Sequence, residues 1–476
     1  MRSYTTLSEI QSDIHSGKLS CVQLVNNYLN NISEQLELNA LLEVFSEEAI
    51  ARAAEIDQRI ASGQAGSLAG LVIAIKDNIC YKGHRVSASS KILEGFESLY
   101  TATALQRLLD EDVIVIGRAN CDEFAMGAST ENSAYGPSRN AQDPSRVPGG
   151  SSGGSAVAVQ AHLCHAALGS DTGGSIRQPA AFTGTFGLRP TYAHVSRYGL
   201  IAYASSFDQI GPITHSAEDA KRIMDVMSGP DDLDATASRT EVDYSKDYPK
   251  GEKYTIAFVK DFIEHERLKP EIRDRFLALE KKLIAEGHKV TWVDFPYSDY
   301  VVPNYYLLTT AEASSNLSRF AGMLYGHRSD EAQDIESTIV KSRVEGFGEE
   351  VQRRIMLGTF VLSAGYYDAY YAKAQKVRRL VKEHNDKVLS EADFIMLPMT
   401  PHEAFKFGAN EDPIAMYLED IFCMQASLGG LPAISVPIQP GASGMPLGAQ
   451  IVSKAFTESQ LLDFATEIHG LSQNLL

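Results

Sequence analysis

The sequence predicts an α/β fold: one large domain whose central mixed β-sheet is covered by helices on both faces. Three observations lead there. Short β-branched runs of strand length recur from residue 71 to residue 452, and stretches with helical periodicity separate several of them. No period of 20–50 residues repeats, which excludes solenoids and propellers. The chain has 476 residues, 44% hydrophobic and 22% charged, which is enough to bury a large core and too apolar for global disorder.

The elements follow in order. Residues 6–64 read as helices, with Ser20 as N-cap before Val22, Leu24, Val25 and Leu29, and Ser46 as N-cap before a run rich in Ala, Glu and Ile. The texture changes at 71–75 (LVIAI), a buried-strand signal that ends at Lys76-Asp77-Asn78. A helix is expected over 103–109 and a strand over 113–116 (VIVI). Further strands are expected at 254–259, 290–293, 394–397, 434–438 and 448–452, and helices over 273–286, 348–381 and 458–469. The polar, acidic stretch 228–253 reads as a long surface excursion. Strands on both sides of it favour one sheet over two domains. Residues 1–65 are thus expected as a helical segment packed on an α/β core of residues 66–476.

Composition excludes several functions. The formal net charge of −18 argues against unaided binding to a phosphate backbone, which needs Lys and Arg to neutralise phosphates. Five cysteines, odd in number, widely spaced and without CxxC, form neither a disulfide framework nor a zinc ribbon, as suits a reducing compartment. The opening residues lack an apolar signal core, and no apolar run is long enough to span a bilayer. A soluble cytoplasmic protein with no membrane partner is expected.

The chemistry concentrates in 149–178 (GGSSGGSAVAVQAHLCHAALGSDTGGSIRQ), where two Gly/Ser turns, 149–155 and 169–175, bracket an apolar run. Glycine lets backbone amides approach a bound oxygen, and serine supplies a nucleophile or a proton relay. A flexible linker would lack the apolar flanks. Gly149–Gly153 fits GxSxG, but Pro144 and Pro148 argue against the strand that a nucleophile elbow requires. Asp171-Thr172-Gly173 has no second copy to complete an aspartic dyad, and His162 and His165 lack a third metal ligand. No GxxxxGK[ST] is present to hold ATP. A serine nucleophile needs a base, and Lys76 at the end of an apolar strand can serve if burial keeps it neutral. A snorkelling surface lysine is the alternative.

Three segments together, 71–79 (LVIAIKDNI), 149–155 and 169–179 (GSDTGGSIRQP), resemble the amidase signature family. The resemblance implies a catalytic lysine at Lys76, a relay serine after a cis peptide bond at Ser151, and a nucleophile at Ser175 that forms an acyl ester. It also implies an oxyanion hole from the backbone N–H groups of Thr172, Gly173, Gly174 and Ser175, with Ser152, Ser155 and Asp171 in support. Segments 118–139, 195–214 and 347–375 resemble one branch of that family, the glutaminase (A) subunits of bacterial Glu-tRNA(Gln)/Asp-tRNA(Asn) amidotransferases.

That branch implies a heterotrimer with B and C subunits, the B subunit holding misacylated tRNA and using ATP and Mg, with no cofactor or metal on this chain. It implies a glutamine pocket formed by Asp420 for the ammonium, Arg354 for the carboxylate and Tyr305, with Arg353 and Tyr306 as adjacent alternatives. Which of the two tRNA substrates is served stays open. A stand-alone amidase for small amides is the alternative function, and a non-catalytic scaffold a more distant one. The sequence departs from the family at Ala193-His194, where Gly-Arg is usual, and at Thr185-Phe186, where a smaller, more aliphatic pair is usual.

Overall fold

Eleven strands form one mixed sheet in the computed structural model, which describes residues 3–246, 248, 251–409, 413–473 and 475. In chain order they are β1 (Leu41–Val44), β2 (Val72–Lys76), β3 (Ile114–Ala119), β4 (Ala166–Asp171), β5 (Phe186–Arg189) and β6 (Gln209–Thr214). There follow β7 (Thr255–Val259), β8 (Lys289–Val293), β9 (Phe394–Pro398), β10 (Ala433–Ile438) and β11 (Leu447–Ser453). The spatial order is β1-β3-β2-β4-β6-β5-β10-β11-β9-β7-β8. Strand β2 runs parallel to both β3 and β4, so the carboxyl ends of three strands, at Lys76, Ala119 and Asp171, lie side by side. The site is built on that edge.

Successive side chains of a strand point to opposite faces. Every residue of β2, β3, β4, β5, β6, β9, β10 and β11 is buried, so both faces of the sheet are covered. The outermost strands β1 and β8 are partly open, as is β7 at its first residue, Thr255. Burial on both faces is why the strands read as continuous apolar runs in place of an alternating pattern.

Each expected strand is present, with shifted ends; 113–116 becomes β3. Strands β1, β4, β5 and β6 are additional. The sequences of β4 (AALGSD), β5 (FGLR) and β6 (QIGPIT) carry Gly, Ser, Asp or Pro, poor strand formers that pairing inside the sheet overrides. The apolar run after the first serine turn is therefore two elements, helix Gly153–Gln160 and β4. Glycine is required at the start of that helix. A Cβ on Gly153 would lie 2.0 Å from Thr130 Oγ1, and one on Gly154 2.4 Å from the Asn120 carbonyl oxygen.

The amino-terminal segment is not wholly helical, since β1 lies between helices Cys21–Glu34 and Ser46–Ala61. Ser20 caps the first of these in a capping box with Gln23. Ser46 is the first helical residue of the second, behind Phe45, and not its cap. Leu7, Ile10, Leu24, Val25, Ala53 and Ile56 join the same apolar core as the sheet. The expected helix 348–381 is two, Glu349–Leu362 and Ala372–Glu391, with a π-helical turn at Tyr367–Tyr371 between them.

The stretch 228–253 has no helix or strand among its described residues, but it is fastened to the core. Ser238 N donates to the Ala193 carbonyl at 2.8 Å, and the Tyr244 hydroxyl bonds His194 Nε2 at 2.9 Å. Ala193 has φ of 71°, the left-handed region that favours the glycine usual at this position. The five cysteines are free and buried. Among the described residues no helix is long and apolar enough to cross a membrane.

Candidate active site

Lys76 ends β2 with no exposed surface, delivered by an apolar strand into the space between the two serine turns. Its Nζ donates to Ser151 Oγ at 2.7 Å, Ser152 Oγ at 2.9 Å and Ser170 Oγ at 3.0 Å. Burial pulls the ammonium down to about 8, against the opposing pull of Cys121, Asp122, Asp171 and Asp208. The snorkelling alternative fails here. Lys76 is a desolvated amine surrounded by hydroxyl groups.

Ser151 follows a cis peptide bond from Gly150. Its turn is held from both sides: Gly150 N donates to Gln178 Oε1 at 2.9 Å, and Asp122 N donates to the Ser151 carbonyl at 3.1 Å. A Cβ on Gly150 would lie 2.1 Å from Asp122 Oδ2, so only glycine fits. Asp122 accepts from Thr130 N and Asn132 N, and burial still pushes its carboxyl up to about 6. Ser152 Oγ donates to the Ser170 carbonyl at 3.2 Å, and Ser155 Oγ to the Leu168 carbonyl at 3.0 Å.

The second turn leaves β4 at Asp171 and enters helix Arg177–Thr183. Asp171 is clamped by two fully buried arginines, through Arg177 Nε and Nη2 at 3.0 Å each and Arg189 Nη1 at 2.9 Å. Burial alone would raise its carboxyl, but the two guanidiniums overcome that and hold it well below its ordinary value. Arg177 also donates to the Cys423 carbonyl at 3.0 Å and to Ser427 Oγ at 2.8 Å, tying the turn to the 423–427 segment.

Thr172 is fixed by its hydroxyl, which donates to Asp208 at 2.7 Å, and burial raises the Asp208 carboxyl to about 7. Gly174 has φ of 156°, and a Cβ there would meet Cys423 Cβ at 2.6 Å. The N–H groups of Gly173, Gly174 and Ser175 have no acceptor among the described residues. Ser175 is 5% exposed, and its Oγ has no hydrogen-bond partner among the described residues either. The hydrogen-bonded chain from Lys76 thus reaches Ser151 and stops before Ser175.

Two of the expected pocket residues, Tyr305 and Asp420, lie against this turn. A Cβ on Gly173 would lie 2.6 Å from the Tyr305 ring, and one on Gly174 would lie 3.5 Å from Asp420 Oδ1. Asp420 is buried, and its Oδ1 has no hydrogen-bond partner among the described residues. Burial, reinforced by Glu419 and Asp171, pushes its carboxyl up to about 8, with Arg177 and Arg354 pulling the other way.

Arg354 is buried. Its Nε donates to Glu350 at 2.8 Å and its Nη1 to the Tyr203 hydroxyl at 2.9 Å, while the rings of Tyr203, Tyr306 and Tyr417 surround it at 5.1–5.5 Å. Arg353 instead turns outward and pairs with Glu349 and Glu350. Tyr306 stacks on Tyr417 with ring centroids 4.1 Å apart.

Sequence reasoning missed Ser170, Asp122, Asp208, Cys423, Glu350 and Tyr417. Ser170 lies within the second serine turn, and Asp122, Asp208 and Glu350 lie within segments 118–139, 195–214 and 347–375, which carried the resemblance without assigning these residues a role. His165 pairs with Asp219 at 2.8 Å, and among the described residues no group of three or more His, Cys, Asp or Glu could hold a metal ion.

Comparison with known proteins agrees with this geometry. The amidase family model matches residues 23–462. The chain is 47% identical over 478 residues, 99% of each chain, to the A subunit of glutamyl-tRNA(Gln) amidotransferase from Chlorobium phaeobacteroides. It is 44% identical over 511 residues to the protein of the same name from Salinibacter ruber, covering 98% of this chain and 99% of the relative. Among solved structures it resembles the A subunit of glutamyl-tRNA(Gln) amidotransferase from Thermotoga maritima, with a TM-score of 0.78 and 40% identity over 94% of this chain and 93% of the other. It also resembles the peptide amidase of Stenotrophomonas maltophilia, with a TM-score of 0.83 and 26% identity over 100% of this chain and 98% of the other. Sheet, serine turns and buried lysine accord with a match that spans most of the sequence, and the chain belongs to the amidase family.

Proposed function

We propose that this chain is the glutamine-hydrolysing A subunit of a tRNA-dependent amidotransferase, working in the cytoplasm. Ser175 Oγ attacks the side-chain amide carbon of glutamine. Its proton passes to Ser151 Oγ, which gives its own to neutral Lys76 Nζ. The unpaired N–H groups of Gly173, Gly174 and Ser175, with that of Thr172, stabilise the oxyanion as it develops. Lys76 returns the proton through Ser151 to the departing nitrogen. Ammonia leaves, and water hydrolyses the acyl-Ser175 ester by the same relay to give glutamate. The relay requires a Ser151–Ser175 hydrogen bond in addition to those described, and such bonds often tighten only when substrate binds.

The observation that carries the substrate assignment is Asp420. A buried carboxyl with an oxygen lacking any partner among the described residues, beside the nucleophile's turn, is costly unless a cation completes it. The α-ammonium of glutamine is such a cation, and Arg354 offers the matching charge for the α-carboxylate, with Tyr305 lining the path between. A simple aliphatic amide would leave Asp420 unsatisfied.

The partners in this reading are a B subunit, which binds misacylated tRNA and uses ATP and Mg, and a C subunit. Met356, Leu357 and Phe360, exposed on the helix that bears Arg354, support assembly with another chain. Free thiols without disulfides accord with the cytoplasm.

The test is ammonia transfer in the reconstituted complex. Ser175→Ala should lower glutamine-dependent amidation by about three or more orders of magnitude, while ammonium chloride should restore it, because only ammonia production is lost. Glutamine-dependent amidation that survives the substitution would refute the nucleophile. Failure of the ammonium bypass in a complex that still binds tRNA would refute transfer between separate sites.

A further inference from the structure

We infer that Glu350 and Tyr417 are positioning residues that set the separation between Arg354 and Asp420, and so tune the site to a free α-amino acid. The inference rests on the glutaminase reading above. The two charge-bearing residues lie on different elements. Arg354 is on helix Glu349–Leu362, and Asp420 ends the short turn Leu418–Asp420 that follows helix Pro413–Tyr417. A side-chain bond joins them: the Tyr417 hydroxyl donates to Glu350 Oε1 at 2.9 Å, and the same oxygen accepts Arg354 Nε at 2.8 Å.

The geometry also fixes how Arg354 can read a carboxylate. Glu350 occupies the Nε edge of the guanidinium, and the Tyr203 hydroxyl, itself donating to Thr309 Oγ1 at 2.8 Å, takes one Nη1 hydrogen. Three aromatic rings close the faces and rim. The remaining donors are on Nη2 and the second Nη1 hydrogen, so the substrate carboxylate is met end-on, at a place set by Glu350. Arg353 neutralises the other Glu350 oxygen from the solvent side, which lets a carboxylate stand beside the pocket without repelling the substrate's own.

Tyr417 adds a second restraint by stacking on Tyr306, whose neighbour Tyr305 touches the Gly173 turn. A shift of the 413–420 segment would therefore move Asp420 relative to both Arg354 and the oxyanion turn. Two opposite charges a fixed distance apart are the signature of an α-amino acid. A simple amide carries neither and is indifferent to that distance.

The experiment is steady-state ammonia release from L-glutamine by the full-length chain, alone and with its partner subunits, for wild type, Tyr417→Phe, Glu350→Ala and the double variant. Each single substitution should raise KM for glutamine about tenfold while kcat stays within about threefold. The double variant should be no worse than the worse single one, because both remove the same link. Tyr417→Phe deletes one hydroxyl and keeps the ring stack, so it carries the test should Glu350→Ala fail to fold. A fall in kcat at unchanged KM, losses that multiply in the double variant, or a Tyr417→Phe enzyme with wild-type KM would overturn the inference. Wild-type protein that releases no ammonia from glutamine would overturn the function reading instead, so the two failures are distinct.

Discussion

Lys76 and Asp420 both titrate at about 8, and in the proposed mechanism both must lose a proton before glutamine reacts. Lys76 is then neutral and able to accept; at pH 7 only about a tenth of it is in that form, so it is less deprotonated than a general base kept neutral by burial would be. Asp420 is then a carboxylate able to hold the substrate ammonium. On the acid side of pH 8, kcat/KM for glutamine should rise with pH with a limiting slope near two, since this parameter reports the free enzyme. Asp420→Asn should reduce that slope to one and raise the glutamine KM, leaving the Lys76 ionisation behind. An unchanged slope in the variant would remove Asp420 from the binding step. At this scale the resemblance implied Lys76, Ser151 and Ser175; the structure places Lys76 Nζ 2.7 Å from Ser151 Oγ and bonds Ser152 N to the Ser175 carbonyl at 3.0 Å. The partners that tune them were not legible: Asp122, Asp208 and Glu350 sit in segments that carried the resemblance, but only the folded chain brings their carboxyl groups to the site.

The element that organises the site is β4 with the turn that follows it. Its carboxylate Asp171 holds Arg177 and Arg189, and through Arg177 it reaches Cys423 and Ser427. Removing the carboxylate leaves two buried guanidiniums without their counter-ion, so Asp171→Asn should cost about 3–5 kcal/mol at neutral pH in urea unfolding. Its folded-state ionisation is depressed, so the stabilisation is complete above the unfolded value and fades as pH falls below about 4. The gap between wild type and variant should narrow there. A gap that is small at pH 7 or constant with pH would mean that the arginines find other acceptors. Strand β4 also shows why part of the fold was hidden. Its composition spells a turn, and only pairing with β2 and β6 makes it a strand. Strands such as β2 and β9, buried on both faces, announce themselves by apolar content alone.

At the scale of the whole molecule the net charge of −18 sets a limit on direct partners. Among the described residues no basic stripe compensates for it in the candidate site. The isolated chain should bind tRNA no more tightly than about 10⁻⁴–10⁻⁶ M at physiological salt, the range of non-specific binding, as a filter-binding titration would measure. Submicromolar binding by the chain alone would break the proposed division of labour. The fold class was legible here in outline, since seven strands and their helices emerge from periodicity. The order in which eleven strands pair was not, because it is fixed by side-chain packing between distant segments. One feature of the folded chain also makes it tractable to chemistry. All five thiols are sealed in the interior, and burial raises the pKa of each, so none is a ready nucleophile at neutral pH. A cysteine introduced at the exposed Met356 would stand alone as a reactive handle. A fluorophore or spin label could then be attached beside the Arg354 helix without first stripping the native cysteines from the protein.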